Sequence, residues 1–128
     1  MADALFDTTV FIDYYRGHEG ARVVIESAVS GRMTASYSAF TVFEFWIRPM
    51  ERLEELEYLA LLSLLEEAPL TRDVAQIAAM WLRGQSRISR QRLIGDALVA
   101  ATAVARSEPI YTRNRRDFAR FDVQVRGY

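Results

Sequence analysis

The chain has 128 residues, 51% of them apolar, which is one domain with enough apolar surface to bury a core. It has no cysteine, so disulfide frameworks and thiolate metal sites are excluded, and all 16 basic residues are arginine, so Schiff-base and P-loop lysine chemistry is excluded too. The net charge is −1, but residues 1–81 hold 6 Arg and 13 acids while residues 82–128 hold 10 Arg and 4 acids, a polarity that suits a polyanionic partner.

Ala4-Leu5-Phe6-Asp7 reads as a buried, central, parallel strand ending in a carboxylate. Thr8-Thr9 can cap a helix near Val10 to Tyr15, which Gly17 ends. A second helix covers about Ala21 to Val29, and Arg32 to Ser36 is a second strand. Ser38 can cap a helix from Ala39 to about Ile47, limited by Pro49. That helix is apolar except for Glu44, which must be neutral, paired with Arg, or facing a metal. Glu51 to Glu67 reads as one long helix whose leucines form a stripe too wide for a single core face, which suggests a partner. Pro69-Leu70 suggests a short strand, and Thr71 caps a helix from Arg72 to about Arg83.

Residues 84–92 read as a polar loop leading into Asp96, which is expected to open a buried helix from Ala97 to Ala105 at its positive end. Ile110 to Thr112 is then a strand, residues 113–120 a basic turn or short helix, and Val123 to Val125 an edge strand. The alternation predicts a single-domain, three-layer α/β/α sandwich around a central parallel sheet of about four to five strands. Asp3 and Asp7 interrupt the N-terminus, so no signal peptide is expected, and no run approaches the roughly 18–20 apolar residues that span a bilayer. A cytoplasmic protein with no membrane partner is the expectation.

Four acids stand out from 17: Asp7, Glu44, Asp96 and Asp117. Each has a structural explanation alone, as a cap, an Arg partner, a dipole residue or a surface charge. Together, three of them would lie at one edge of a parallel sheet, where ligands bind, and Glu44 can reach in from a flanking helix. Clustered carboxylates repel unless cations intervene. Oxygen ligands without His or Cys select hard ions, Mg²⁺ or Mn²⁺, which serve phosphoryl displacement. His18, the one histidine, lies in a Gly-flanked stretch and reads as solvated. Arg83, Arg87, Arg90 and Arg92 precede Asp96, and Arg113, Arg115, Arg116 and Arg120 flank Asp117; both clusters are expected to grip phosphates.

LFDTTVFIDYYRG, TVFEF, IGDALVAATAV and TRNRRDF occur in this order over nearly the whole length. With them the chain resembles the PIN-domain ribonucleases, and specifically VapC-type toxins of type II toxin–antitoxin systems. The resemblance implies that Asp7, Glu44, Asp96 and Asp117 form an acidic catalytic and metal-binding quartet, supported by Thr9, Thr112 and Asn114. Thr9 departs from the Asn or Ser more often found there but keeps a hydroxyl. The resemblance further implies Mg²⁺- or Mn²⁺-dependent endonuclease action on RNA (tRNA or rRNA), a homodimer and a small VapB-like antitoxin. Two rivals remain. A phosphoacceptor signalling domain would use a lysine that this chain lacks. A catalytically silent module binding nucleic acid or protein would keep the acids as structure and show no metal dependence.

Overall fold

The computed structural model describes residues 2–128. Five parallel strands form one sheet in the order β3-β2-β1-β4-β5: β1 Ala4–Phe6, β2 Ala35–Ser38, β3 Glu66–Ala68, β4 Ile110–Tyr111 and β5 Val125–Arg126. Among the described residues seven helices flank it: α1 Thr8–Tyr15, α2 Glu19–Val29, α3 Ala39–Trp46, α4 Arg52–Leu62, α5 Arg72–Leu82, α6 Arg87–Ala105 and α7 Arg115–Phe118.

The period of two along β1 sends Leu5 and Phe6 to opposite faces. Leu5 joins a core built from α5, α6 and α7, with Val74, Leu93, Ala100 and Phe118. Phe6 joins a second, aromatic core with Phe11, Ile25, Phe45 and Tyr58 from α1 to α4. Helices on both faces of a parallel sheet bear out the three-layer α/β expectation. Among the described residues no helix is long and apolar enough to cross a membrane.

Several local expectations hold. Ser38 caps α3 by accepting from Phe40 N, and Thr71 caps α5 by accepting from Val74 N. His18 is exposed and caps α2, its ring nitrogen accepting from Ala21 N. Others are corrected. β2 begins at Ala35 rather than Arg32. The long helix expected over 51–67 stops at Leu62, and the short strand expected at Pro69-Leu70 lies instead at Glu66–Ala68, which pairs with Ser36–Ser38 at the sheet edge. Pairing with β2 overrides the helix propensity of two glutamates, whose charges suit an exposed edge.

The loop expected over 84–92 is mostly helix. Gly84, at φ 86°, ends α5, and Ser86 caps α6 by accepting from Ser89 N. Arg and Gln are good helix formers, and nothing between Arg87 and Ile94 breaks the turn. Asp96 is therefore the tenth residue of a 19-residue helix, not its first. The favourable helix-end dipole expected for it is absent.

Candidate active site

In the strand order, β1 is flanked by β2 on one side and β4 on the other, so the chain reverses direction of travel across the sheet beside β1. The crevice at the carboxyl ends of β1 and β4 is the topological switch point, where open α/β sheets bind ligands. Asp7 follows β1 there and Thr112 follows β4. The Asp7 N–H donates to the Tyr111 carbonyl at 3.0 Å, which fixes the two strand ends against each other.

Asp7 is 3% exposed. Its Oδ2 accepts from Thr9 at 2.9 Å and from Thr112 at 2.8 Å. Those hydroxyls in turn accept from the backbone of the following loop: Arg113 N–H donates to Thr9 Oγ1 at 3.1 Å, and Asn114 N–H donates to Thr112 Oγ1 at 3.0 Å. Thr9 thus takes part through its hydroxyl, as does Thr112, while the contact recorded for Asn114 is backbone.

Glu44 reaches in from α3. Thr8 donates to its Oε1 at 2.7 Å and lies 3.0 Å from the Thr41 hydroxyl. Among the described residues no arginine pairs with Glu44. Asp96, half-buried on α6, faces the same crevice electrostatically. Burial pushes its carboxyl up to about 7, and the negative charges of Asp7, Glu44 and Asp117 push the same way, opposed by Arg120. Burial raises Glu44, with Asp7 adding to the rise, and burial raises Asp7 despite its two threonine hydrogen bonds. Asp117, on α7, is the most open of the four and lies 3.6 Å from Arg120.

Among the described residues Asp7, Glu44 and Asp96 form no ion pair, while Asp117 has Arg120. Their donors are all oxygen, which fits a hard divalent cation. As the side chains stand, no group of three or more His, Cys, Asp or Glu among the described residues is arranged around an ion position.

Sequence reasoning missed two supports. Thr8 was a cap candidate, yet its hydroxyl serves Glu44. Gly95 precedes Asp96, and a Cβ there would lie 3.1 Å from Glu44 Oε2. A glycine inside a helix signals such close approach.

The expected arginine face divides. Arg113 pairs with Asp13 at 3.2 Å, and Arg120 sits with Asp117. Arg83, Arg87 and Arg90 instead line a concavity of about 630 Å³ between α5 and α6 with Leu82 and Ile94, and none of the four acids borders it. Arg92, Arg115 and Arg116 are exposed. The leucine stripe divides as well. Leu61 and Leu62 are buried, while Leu53, Leu56, Leu59 and Leu64 are exposed. A second apolar concavity lies on α3, lined by Val42, Phe43, Trp46 and Ile47.

A five-stranded parallel sheet flanked by helices, with acidic side chains gathered near its switch point, defines an α/β fold with an acidic ligand site. The PIN domain profile matches residues 4–124, so the chain belongs to the PIN-domain family, whose members are typically nucleases. No curated protein matches the sequence significantly. Among solved structures, a toxin–antitoxin complex from Klebsiella pneumoniae is similar at 26% identity and TM-score 0.69, over 91% of this chain and 90% of that one. DNA-bound VapBC from Salmonella typhimurium is similar at 18% identity and TM-score 0.74, over 99% and 98%. FitAcB from Neisseria gonorrhoeae is similar at 24% identity and TM-score 0.73, over 95% of each chain.

Proposed function

We propose that the protein is a Mg²⁺- or Mn²⁺-dependent endoribonuclease of the VapC toxin type. The observation that carries this reading is the convergence of acids from three elements: Asp7, held by Thr9 and Thr112 at the carboxyl ends of β1 and β4, and Glu44 of α3, held by Thr8 against Gly95, the residue before Asp96 on α6. Asp7, Glu44, Asp96 and Asp117 would hold the ion. When bound, the ion supplies an activated water and charge stabilisation for phosphodiester hydrolysis. The chain's own contribution is orientation. Thr9 and Thr112 fix the Asp7 carboxylate and the loop bearing Asn114, and Thr8 fixes Glu44. Arginine supplies phosphate contacts that carry affinity without reading sequence.

RNA, with tRNA and rRNA first, is the proposed substrate, and the cytoplasm the proposed compartment. A small antitoxin is the proposed inhibitor. Its support is the exposed apolar surface of Phe43, Ile47, Leu53 and Leu56, suited to an amphipathic helix, together with the toxin–antitoxin complexes among the structural neighbours. A homodimer is proposed too, for which exposed Met80, Ile88 and Ile94 offer apolar surface.

The silent-module reading draws on the Asp117–Arg120 pair, which satisfies one acid without metal. One experiment separates the two. Wild type and Asp96→Asn are expressed in a bacterium and RNA 5′ ends are mapped; the purified proteins are then assayed with Mg²⁺, Mn²⁺ or chelator. New ends formed by the wild type only, and lost in chelator, are expected. Identical end maps for the two proteins would sink the nuclease reading, and full cleavage in excess chelator would sink its metal dependence.

A further inference from the structure

Arg113 is held at both its backbone and its guanidinium. It follows Thr112 directly, and its N–H donates to Thr9, whose hydroxyl donates to Asp7. Its Nη1 lies 3.2 Å from Asp13 Oδ1. The other Asp13 oxygen accepts from the Tyr128 hydroxyl at 2.6 Å. Asp13 is 4% exposed, while the Arg113 side chain is 47% exposed.

A buried carboxylate needs a charge partner or hydrogen bonds, and Asp13 has one of each. The side chain that serves it is still about half exposed, and it follows Thr112, whose hydroxyl donates to Asp7. Arginine has five donors in a rigid fork, so one can anchor it while others take a phosphate oxygen.

Tyr128 is itself fixed. Its ring meets His18 edge-on at 5.5 Å, and a Cβ on Gly20 would come within 2.7 Å of its backbone carbon. Its neighbour Gly127 lies under Arg115, where a Cβ would meet Nε at 2.9 Å. The segment 127–128 therefore packs against two arginine positions after β4: Arg113 in the loop, through Asp13, and Arg115 at the start of α7.

We infer that Asp13 and Tyr128 are positioning residues that hold Arg113 beside the acidic crevice as a preset contact for a phosphate of single-stranded RNA. The inference rests on the nuclease reading. An arginine already fixed in place loses less side-chain freedom when it binds, and that saving is what the pair contributes.

The test is a double-mutant cycle in Asp96→Asn protein, measured without metal by fluorescence anisotropy on a labelled single-stranded RNA oligonucleotide. Tyr128→Phe keeps the ring on His18 and removes only the hydroxyl. It should weaken binding by between about twofold and tenfold, the range for freeing one long side chain. Arg113→Ala should weaken it further and lower the log–log salt slope by about 0.7, one single-strand phosphate contact. Tyr128→Phe added to Arg113→Ala should then do nothing more. Cleavage by the same variants with Asp96 restored should show KM rising more than kcat falls for Tyr128→Phe. A purely structural tyrosine would lower the thermal midpoint in both backgrounds and show no coupling to Arg113. Unchanged binding by Tyr128→Phe, or additive effects with Arg113→Ala, overturns this inference alone. Failure of the parent protein to bind RNA at all overturns it together with the nuclease reading.

Discussion

Gly95 leaves the space on α6 that the Glu44 carboxylate occupies. A Cβ at residue 95 would lie 3.1 Å from Glu44 Oε2 and 3.2 Å from Phe40 Cε2. Both contacts are tighter than ordinary packing, and Glu44 is tethered by Thr8 at 2.7 Å. Glycine also costs the helix up to about 1 kcal/mol relative to alanine. Gly95→Ala should therefore gain helix stability and displace Glu44 by a few tenths of an ångström. The expected outcome is a thermal midpoint equal to or above that of the wild type, with Mg²⁺-dependent cleavage reduced about tenfold or more, because a misplaced group is costly in catalysis. Unreduced cleavage would show that the position of Glu44 is immaterial.

Asp96 titrates at about 7 in the folded protein against an ordinary 3.8. A carboxyl whose folded pKa is raised favours the folded state while it holds its proton. That contribution is complete below 3.8 and is lost as the pH rises through about 7. Asp7 and Glu44 are raised in the same direction and follow the same sign. In chelator, Asp96→Asn should raise the thermal midpoint, fully above pH of about 7 and by less as the pH falls toward 3.8. Saturating Mg²⁺ should raise the wild-type midpoint and narrow the gap, since a ligand of the folded state stabilises by mass action. A variant less stable than wild type in chelator at pH of about 8 would mean the carboxylate is a structural asset rather than a source of repulsion.

What could be read from the sequence was whatever short-range chemistry decides. Ala4-Leu5-Phe6-Asp7 carries its own evidence, an apolar run ending in a carboxylate, and so do the caps at Ser38 and Thr71. The start of α6 was hidden because polar arginines and serines read as loop when the cap at Ser86 is not weighed. β3 was hidden because Glu66 and Glu67 favour helix until β2 offers its edge. The four acids could be singled out by spacing and resemblance, but their shared field depends on strand order, which no local pattern encodes. The Asp13–Arg113 and Asp13–Tyr128 contacts join residues about a hundred positions apart and leave no local trace.

Tyr58 is fully buried in the aromatic core against Phe45, with ring centroids 3.9 Å apart, and its hydroxyl has no hydrogen-bond partner among the described residues. An unpaired buried hydroxyl costs about 1–3 kcal/mol. Tyr58→Phe removes it without changing the ring. Stability in urea should rise by about 1 kcal/mol, seen as a higher midpoint with an unchanged slope. A fall in stability of that size would mean the hydroxyl is satisfied in solution.

Arg87 and Arg90 line the concavity between α5 and α6 with Arg83 and Ile94, away from the four acids. Their positions on α6 still place them on the helix that carries Asp96 into the crevice. Electrostatic attraction for a polyanion extends over roughly a Debye length, about 8–10 Å at physiological salt. Arg87→Ala combined with Arg90→Ala should therefore weaken single-stranded RNA binding and reduce the log–log salt slope by up to about 1.4, two contacts at about 0.7 each. Metal affinity should be unchanged, because the concavity these arginines line is bordered by none of the four acids. The thermal midpoint should also hold, since neither side chain forms an ion pair among the described residues. If the slope and affinity stay at wild-type values, the RNA path does not cross this face, and the phosphate contacts lie with Arg113, Arg115 and Arg116 alone.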